Sequence, residues 1–593
     1  MAKSRAKKYS TDVFMRKFAE TLTAEIRAYQ GFVGRCPTTD YRSQSYALPW
    51  KGSAFDFKCE WQLQNLLKRY RFKDDIYTDD ELAERTFAKF LKVQESRIES
   101  VDRSAVIHAV LQKARLIIKD ILGDYSSDEH VISCRHGKRA ALGVPAANAY
   151  LHEKLACLSG TPEHIAWFAD VLRDDPHQAR ASEDCGARVV VCDTLQYTTV
   201  PKSWKILRGI VPNTVLGAYY SYGLGRVIQD RLKCNAQLDI RRLQQKHRRL
   251  CRSMSLTLKY VTADLSSASD SFTLALVNAL LPRKWFQAVK YGITRHIEHK
   301  GKRYYCSSFM LMGIGFTFPL QTLLFYALIR AVQTLCGSTG LVSVYGDDLI
   351  YPREIHTKIA YVFERLGFQL NSDKTFVDLP FRESCGADYF KGVDVRPFQP
   401  EGECEEMVGL HYEAWLYKIY NGLTARWPGQ VLTRTKRFII LEILRCTTDL
   451  KIAAMDAPDY SGLKGLEYKW YLPVNLQWCD DWQTIVVKNI VIRPVNKILA
   501  RKFQSAYYWD TLRSMNSQSQ SDDEYGLVPI LHIRDGRFVL DDPKPGCSVT
   551  KHREFTVVTS TGGKLPRDVL HVPQKQQSSI GCRWAHYDGS IEG

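Results

Sequence analysis

The stretch VSVYGDDLIYP at 342–352 puts two adjacent aspartates between two short runs of residues that favour β-structure. Gly346 comes directly before Asp347 and Asp348 and supplies the backbone freedom that a tight turn needs. The pattern predicts a β-hairpin with both aspartates at or beside its tip. In a partly desolvated site two such charges would repel by roughly 4 kcal/mol, whereas on a solvated turn the repulsion would be small. The aspartate pair alone leaves a functional site and an ordinary exposed turn equally open.

A third carboxylate decides between these interpretations if it arrives from a second strand. Upstream, Tyr260 to Thr262 are predicted to form a strand, Asp264 stands at its end, and a helix is predicted over 271–281. Three carboxylates from two strands make the all-oxygen donor set that Mg²⁺ prefers. Asp270 stands where it would cap the following helix.

The charge of the whole chain favours a polyanionic partner. Its 593 residues contain 82 Lys and Arg against 64 Asp and Glu, a formal net charge of +18. The sixteen cysteines show no zinc-site spacing, and the basic start MAKSRAKKYS has no apolar segment after it, so a reduced cytosolic protein is expected. The charge-free stretch 309–329 contains Gly, Pro and Thr, and a loop with a buried helix is expected there rather than a membrane span.

Periodicity divides the chain into helical and mixed parts. The N-terminal third is predicted to be mainly helical, with an apolar stripe over 104–122 that ends at Gly123. The stretch 234–252 is predicted to be a strongly basic helix, for which a solvated face and an RNA contact are equally good interpretations. Residues 255–400 alternate β-type runs with helices, which is typical of a mixed α/β domain, and 400–510 return to helix.

Six segments resemble, in the right order, the motifs of the replicases of small single-stranded RNA bacteriophages of the levivirus type. Motifs F, A, B, C, D and E are matched by VPKSWKILRGI at 200–210, DLSSASDS at 264–271, MGIGFTFPLQTLLF at 312–325, VYGDDLIY at 344–351, GFQLNSDKTF at 367–376 and FRESCGADYFKGVDVRPF at 381–398. The flanks, 1–199 and 400–593, resemble the family much more weakly.

The resemblance implies an α/β (α+β) right-hand polymerase with fingers, palm and thumb, the palm an antiparallel sheet backed by helices. Its function would be RNA-dependent RNA polymerisation, replicating a single-stranded RNA phage genome by two-metal-ion nucleotidyl transfer from NTPs. The implied domains are fingers and N-terminal region over 1–254, palm over 255–400 with part of the fingers inserted near 285–310, and thumb and C-terminal region over 401–593.

The resemblance also implies roles for individual residues. Asp264, Asp347 and Asp348 would be catalytic and would hold two Mg²⁺ ions, for which Mn²⁺ can substitute. Lys374 would approach the pyrophosphate and act as a general acid. The residues implied in substrate binding are the cations of motif F and the polar or glycine positions of motifs A and B, namely Lys202, Lys205, Arg208, Asp270, Gly313, Gly315, Thr317 and Thr322.

The sequence departs from the family at Ile314, where many of these replicases have Asn. Isoleucine cannot hydrogen-bond a sugar or a base. Recognition of the ribose 2′-hydroxyl is therefore expected to rest on Asp270 with Thr317 or Thr322. The family implies a single-stranded RNA template, NTPs, the host elongation factors Tu and Ts and a ribosomal protein as partners, in the cytoplasm of an infected bacterium, without membrane or DNA.

Two other functions stay open at this stage. A reverse transcriptase shares the palm chemistry but usually has a bulkier residue where Gly346 stands and an apolar gate near Asp270. A non-enzymatic basic RNA-binding protein explains the charge excess but not the clustered carboxylates. A helicase is disfavoured because the chain has no GxxxxGK[ST] loop.

Overall fold

Helices and short strands alternate along the computed structural model of this chain, so the prediction of a mixed α and β fold class is confirmed. The structure describes residues 8–31, 50–95, 102, 104–464, 476–479, 484–498, 503–516, 530–534, 537–541 and 571–586.

The described residues contain many α-helices, most of them within 104–464. Their bounds are α1 (Thr11–Tyr29), α2 (Ala54–Asn65), α3 (Asp79–Glu95), α4 (Ala105–Leu122), α5 (Ser127–Ser133), α6 (Leu151–Ala156), α7 (Pro162–Asp174), α8 (Pro176–Asp184), α9 (Val215–Ala236), α10 (Ile240–Thr257), α11 (Leu274–Leu280), α12 (Arg283–Tyr291), α13 (Thr317–Leu335), α14 (His356–Arg365), α15 (Gly409–Arg426), α16 (Thr433–Leu444) and α17 (Gln504–Asn516).

The strands are mostly two to six residues long. Their bounds are β1 (Lys8–Ser10), β2 (Tyr70–Arg71), β3 (Cys157–Gly160), β4 (Arg188–Val191), β5 (Thr194–Gln196), β6 (Thr198–Ser203), β7 (Ile206–Ile210), β8 (Tyr260–Ala263), β9 (Leu265–Ser266), β10 (His296–His299), β11 (Lys302–Tyr305), β12 (Ser343–Tyr345), β13 (Asp348–Pro352), β14 (Gln369–Leu370), β15 (Phe381–Ser384), β16 (Ala387–Phe390), β17 (Val393–Asp394), β18 (Gly402–Glu403), β19 (Glu406–Val408), β20 (Leu476–Cys479), β21 (Thr484–Ile498), β22 (Ile530–Arg534), β23 (Arg537–Asp541) and β24 (His571–His586).

Two helix predictions can be compared directly with these bounds. Helix α4 confirms the apolar stripe, and Gly123 at its C-terminus has a positive φ of 61°. The basic helix predicted over 234–252 starts later, at Ile240, because the Asp239 side chain accepts from the Arg241 N–H and begins a new helix there. Residues 234–236 instead finish α9.

A three-stranded antiparallel sheet in the order β12–β13–β8 lies at the centre of the chain. In its register Tyr345 faces Asp348, and Leu349 faces Ala263. Val344 and Leu349 are fully buried, so the apolar runs that flank the two aspartates belong to the core. The register brings the end of β8 beside the start of β13, which is the point where the carboxylates stand.

Helices cover this sheet. Helices α4, α9, α11 and α13 share one large hydrophobic core with its strands. On α10, the buried His247 ring makes 2.8 Å hydrogen bonds to the hydroxyls of Ser343 and Ser384, which ties β12 to β15. Burial lowers the pKa of His247 to about 3, so this ring stays neutral as a fixed link.

A buried arginine fixes the neighbouring strand β15 against β8. The Arg382 guanidinium is fully buried and donates to the carbonyls of Tyr260 (2.8 Å), Leu379 (2.6 Å), Phe381 (2.6 Å) and Val377 (3.1 Å). Because each donor meets a backbone carbonyl, the charge is well solvated by protein dipoles. The contact holds the strand that ends at Asp264.

A second hydrophobic core joins the N-terminal helices to helices that follow residue 408. It contains residues of α1, α2, β2, α15 and α16. The Glu25 carboxylate of α1 accepts from the backbone N–H groups of Arg434 (3.0 Å) and Thr435 (2.8 Å) at the start of α16. The cores thus group α1 with α15 and α16, whereas the sequence-based limits assigned 1–254 and 401–593 to different domains.

The charge-free stretch 309–329 contains a loop followed by the first part of α13, as expected. Across the part of the chain that the structure describes, no helix combines the length and apolarity that a membrane crossing requires.

Candidate active site

The predicted hairpin at 342–352 is present, and Asp347 lies in its turn. Strands β12 and β13 pair antiparallel, with Gly346 and Asp347 between them. Gly346 has a φ of 63°, and a Cβ atom there would collide with the Phe318 ring of α13. Both observations require glycine at this position.

The three aspartates share one site. Asp264 follows β8, next to the hairpin. Burial raises the pKa of Asp347, and the negative charge of Asp264 raises it further. Burial, followed by the charges of Asp347 and Asp264, raises the pKa of Asp348 to about 7. Burial thus disfavours the charged form of both carboxylates, and the neighbouring negative charges add to this effect.

Backbone and amide donors orient two of these carboxylates. The Asn371 side chain donates to Asp264 Oδ2 at 3.3 Å, and its N–H donates to the Asp264 carbonyl at 2.9 Å. The Cys385 N–H donates to Asp348 Oδ2 at 3.3 Å. Sequence reasoning missed both residues, although they lie inside the matched motifs D and E.

Lys374 lies at the acidic cluster, as the sequence predicted. Its ammonium is 3.4 Å from Asp264 Oδ2 and 3.7 Å from Glu383 Oε1. Burial alone would lower the pKa of Lys374, but the charges of Glu383, Asp264 and Asp348 outweigh burial and raise it. Lys374 is therefore protonated in this site, and Glu383 is a further partner that the sequence did not indicate.

The hairpin β6–β7 brings part of the predicted cationic set to the cluster. Burial lowers the pKa of Lys202, as do the charges of Arg208 and Lys374, while Asp264 and Asp347 act in the opposite direction. Lys202 is exposed, and the effect of the Asp264 and Asp347 charges on its pKa indicates that it lies near the acidic cluster.

Lys205, the third predicted cation, lies in the two-residue turn between β6 and β7. Its ammonium is 4.7 Å from the centre of the Trp204 ring, and the residue is exposed. The contacts described for Lys205 do not include the three aspartates, so of the predicted cations Lys202 is the better supported, while Arg208 is linked to the cluster only through its effect on Lys202.

Asp270 lies in a 3₁₀ turn (Ser269–Ser271), not at the start of a helix. The predicted helix over 271–281 begins later, and its N-cap is Thr273, whose hydroxyl accepts from the Leu276 N–H at 3.2 Å. The helix-capping role proposed for Asp270 was therefore wrong. Its carbonyl accepts from the Ser308 hydroxyl at 2.8 Å, which fixes the turn.

The glycines of the motif B segment permit close packing. A Cβ atom at Gly313, whose φ is 122°, would collide with the Val211 carbonyl. A Cβ atom at Gly315 would collide with the backbone of Ser221 and Tyr222. The loop is thus pressed against the segment that follows β7 and against α9.

The two predicted threonines of motif B are internal. The Thr317 hydroxyl donates to the Leu311 carbonyl at 2.8 Å. Thr322 is fully buried; its hydroxyl donates to the Phe318 carbonyl at 2.9 Å and accepts from the Gly346 N–H at 3.0 Å. This burial does not fit a substrate-binding role for Thr322, which instead holds the turn before Asp347.

Ile314, the departure from the family pattern, is also internal. It is 4% exposed and belongs to the large core. Its side chain therefore does not face the cleft, and the presence or absence of a polar group there bears on packing rather than on sugar contact.

The donor set fits hard divalent cations. Asp264, Asp347 and Asp348 offer only oxygen, which Mg²⁺ prefers, and their mutual repulsion is the kind that bound cations relieve. Among the described residues no three acidic, His or Cys side chains already converge as a closed metal cage. The site thus has the charge and the ligand type that a divalent cation requires.

The raised pKa values predict how the metal-free protein responds to pH. Between about pH 4 and pH 7 the folded state keeps a proton on Asp348 that the unfolded chain has lost. The free energy of unfolding should therefore fall as pH rises through this window, by at most about 4 kcal/mol from this residue.

Thermal unfolding in EDTA at several pH values from 5 to 8 measures this effect. Asp348→Asn should flatten the decline, and Mg²⁺ should raise the Tm of the wild type more at pH 8 than at pH 5. An identical pH slope in wild type and Asp348→Asn would contradict the assignment of the buried proton.

Known proteins are similar to this chain over the region that contains the three aspartates. The family model of "RNA replicase, beta-chain" matches residues 40–412. The RNA-directed RNA polymerase beta chain of Escherichia phage MS2 is 32% identical over 387 residues, which are 59% of this chain and 69% of that protein.

Two further relatives are matched over shorter shares of their length. The RNA-directed RNA polymerase subunit beta of Enterobacteria phage SP is 40% identical, covering 60% of this chain and 63% of that protein. The corresponding subunit of Escherichia virus Qbeta is 29% identical, covering 60% and 61%. A solved structure entitled "RdRp complex" is 12% identical, covering 58% of this chain and 34% of its own, with a TM-score of 0.37.

Proposed function

Because the chain belongs to the RNA replicase beta-chain family, we propose that Asp264, Asp347 and Asp348 form its catalytic centre. The chain is an RNA-directed RNA polymerase, related to the polymerases of RNA bacteriophages. The observation that supports the catalytic assignment is the meeting of three carboxylates from two neighbouring strands, two of them with raised pKa values. Such an arrangement costs stability unless it serves to bind cations.

The metal in this proposal is Mg²⁺, with Mn²⁺ as a substitute, held by Asp264, Asp347 and Asp348. When bound, two such ions would activate the RNA 3′-hydroxyl and neutralise the triphosphate and the departing pyrophosphate. The Asn371 and Cys385 hydrogen bonds keep two of the carboxylates oriented toward that task.

Cationic side chains of the cleft bind the triphosphate in this mechanism. Lys202 and Arg208 of the β6–β7 hairpin would neutralise the triphosphate together with Lys374, whose ammonium lies 3.4 Å from Asp264 Oδ2. Lys374 would donate its proton to the pyrophosphate oxygen as the bond to the α-phosphate breaks. Lys205 would act further out, on the approaching nucleotide or on RNA.

Selection of the sugar is proposed for Asp270. Its carboxylate would accept a hydrogen bond from the ribose 2′-hydroxyl, and a deoxynucleotide would leave that acceptor unpaired. Thr322 is not part of this proposal because it is buried. Gly313, Gly315 and Thr317 would shape the wall of the cleft through their close packing.

The proposed architecture is a right-hand polymerase. The sheet β12–β13–β8 with α10 and α13 would be the palm, within 255–400. The second hydrophobic core suggests one change to the sequence-based limits: α1 and α2 belong with the thumb helices α15 and α16 rather than with the fingers. The fingers would then begin near α3 and include β6–β7 and the insertion near 285–310.

An arginine cluster supports a path for the RNA backbone beside the catalytic centre. Burial lowers the pKa of Arg396, and the charges of Arg426, Arg248 and Arg69 lower it further, while Asp388 acts in the opposite direction. Arg426 lies 3.8 Å from Asp394 and Arg69 pairs with Glu401, so the four arginines outnumber the three acidic side chains beside them. An excess of positive charge is favourable beside a polyanion. RNA phosphates are the polyanion that this enzyme class supplies.

Template affinity should therefore fall steeply with salt. The slope of log affinity against log salt should be about −0.7 per phosphate neutralised on single-stranded RNA. Arg396→Ala and Arg426→Ala should each make the slope shallower by about one phosphate. The matched control is Arg173→Ala, an exposed arginine on α7 that pairs with Asp170. Equal slopes in all four proteins would contradict the proposed path.

The relatives suggest further partners and a place of action for this chain. The SP and Qbeta proteins are named as subunits, which indicates multi-subunit enzymes for those phages. We propose that this chain also works in a complex, with the host elongation factors Tu and Ts and a ribosomal protein as the candidates, in the cytoplasm of an infected bacterium.

Nucleotide incorporation by the chain purified from its host, together with the proteins that bind it, tests the proposed function. A primed RNA template with Mg²⁺ should support incorporation of ribonucleotides, and EDTA should stop it. Preference for deoxyribonucleotides would favour a reverse transcriptase, and RNA binding without any incorporation would favour a non-enzymatic RNA-binding protein.

A further inference from the structure

Hydrogen bonds link the end of α3 to residues 307–308, which lie beside the turn that contains Asp270. The Gln94 side chain donates from Nε2 to the Ser308 hydroxyl at 2.6 Å, and its Oε1 accepts from the Ser308 N–H at 2.9 Å. The Ser307 hydroxyl donates to the Gln94 carbonyl at 3.1 Å and to Oε1 at 3.0 Å. Ser307 and Ser308 therefore satisfy both the donor and the acceptor of the Gln94 side-chain amide.

Ser308 connects Gln94 to Asp270 through hydrogen bonds. Ser308 is fully buried, and its hydroxyl accepts from Gln94 while it donates to the Asp270 carbonyl at 2.8 Å. The surrounding backbone is also paired, since the Phe309 N–H donates to the Phe272 carbonyl at 2.8 Å. A continuous chain of hydrogen bonds thus runs from α3 to the turn that presents Asp270.

The same helix supports the cationic hairpin. Helix α3 packs against β7, which carries Arg208. Phe87 and Phe90 of α3 contact the ring of Tyr197, whose hydroxyl lies against Gly209. The position of α3 therefore sets two parts of the proposed nucleotide site at once: the hairpin cations and the Asp270 turn.

We propose that Gln94, acting through Ser308, is a positioning residue that sets sugar selectivity by holding Asp270 in place. This inference rests on the proposed role of Asp270 toward the ribose 2′-hydroxyl. Neither Gln94 nor Ser308 touches the nucleotide. A hydrogen bond that rejects deoxynucleotides must have its acceptor at a fixed distance, because a turn free to shift would adapt to either sugar.

Single-nucleotide incorporation on a primed RNA template, with ATP and dATP compared, tests this inference. Gln94→Ala and Ser308→Ala should each narrow the ratio of kcat/KM for the two sugars by about fivefold, the size of one neutral hydrogen bond. Ser308→Thr keeps the hydroxyl and should retain most of the selectivity. Gln112→Ala, at an exposed glutamine on α4 bonded to His108, is the matched control and should leave the ratio unchanged.

A double-mutant cycle separates positioning from general weakening. In an Asp270→Ala background, Gln94→Ala should cause no further change in the sugar ratio, because its effect passes through Asp270. An equal loss of activity with ATP and dATP in Gln94→Ala and Ser308→Ala would overturn the inference, and so would additivity with Asp270→Ala.

The outcomes also distinguish this inference from the function on which it rests. If Asp270→Ala narrows the ratio but Gln94→Ala and Ser308→Ala do not, only the positioning role fails. If Asp270→Ala leaves the ratio intact, the ribose role of Asp270 fails and the inference fails with it, while the polymerase assignment stands on the incorporation itself.

Discussion

Replacement of Asp347 by Asn will lower nucleotide incorporation by at least about 1,000-fold while the protein stays folded. The substitution keeps the shape of the side chain but removes the charge that the proposed metal ions need. Because burial and Asp264 raise the pKa of Asp347, its charge is a burden to the metal-free protein. The variant should therefore unfold in EDTA at the same temperature as the wild type or a higher one.

Incorporation kinetics in Mg²⁺, RNA binding and thermal unfolding in EDTA together check this expectation. The matched control is Asp378→Asn, which neutralises an exposed aspartate paired with Arg353 outside the cluster and should retain activity. Activity of Asp347→Asn above a tenth of the wild-type rate would remove Asp347 from the catalytic centre.

The local elements of the site could be predicted from the sequence. The apolar runs around the Gly-Asp-Asp turn specify strands, and Gly346 specifies the turn between them, so the hairpin depends on residues that are neighbours in sequence. Asp264 was found in the same way, as the residue at the end of β8. What joined them in one site was the order of the matched motifs, since periodicity alone does not pair β8 with β13.

Contacts between distant segments could not be predicted. Asn371 orients Asp264 from more than a hundred positions away, and the Glu25 contact that joins α1 to α16 spans 410 positions. Neither follows from local propensity, because amphipathic helices and turn residues carry no information about which partner they meet. The domain limits drawn from motif order therefore stay a prediction.

Burial of polar residues inside motifs was also hidden from the sequence. Thr322 lies in a matched motif and is polar, yet its hydroxyl serves the Gly346 turn. Asp270 precedes a helix, yet Thr273 caps it, because a 3₁₀ turn intervenes. A motif match indicates that a residue matters, and only the packing decides whether it faces the substrate or holds its neighbours.

Replacement of Lys374 is the second substitution for which we expect a large loss of activity. In this structure the acidic charges around Lys374 raise its pKa against the lowering effect of burial. When the carboxylate charge is neutralised in the working site, burial remains, and it lowers the pKa of Lys374. The ammonium then becomes a stronger acid at the moment when a negative charge develops on the leaving pyrophosphate, which is the requirement for general acid catalysis.

Lys374→Met should therefore lower kcat by about 100-fold, the lower range for loss of a general acid. Lys374→Arg separates charge from proton transfer, because a guanidinium keeps the positive charge but does not release a proton near neutral pH. We expect KM for the nucleotide near the wild-type value in Lys374→Arg, with kcat still low. The alkaline decline of kcat that reports deprotonation of Lys374 should be absent from both variants.

The exposed Lys358 of α14 provides the control, and Lys358→Met should leave kcat, KM and the pH profile unchanged. Full recovery of kcat in Lys374→Arg would show that the residue acts through its charge alone, and the proton would then have to come from water.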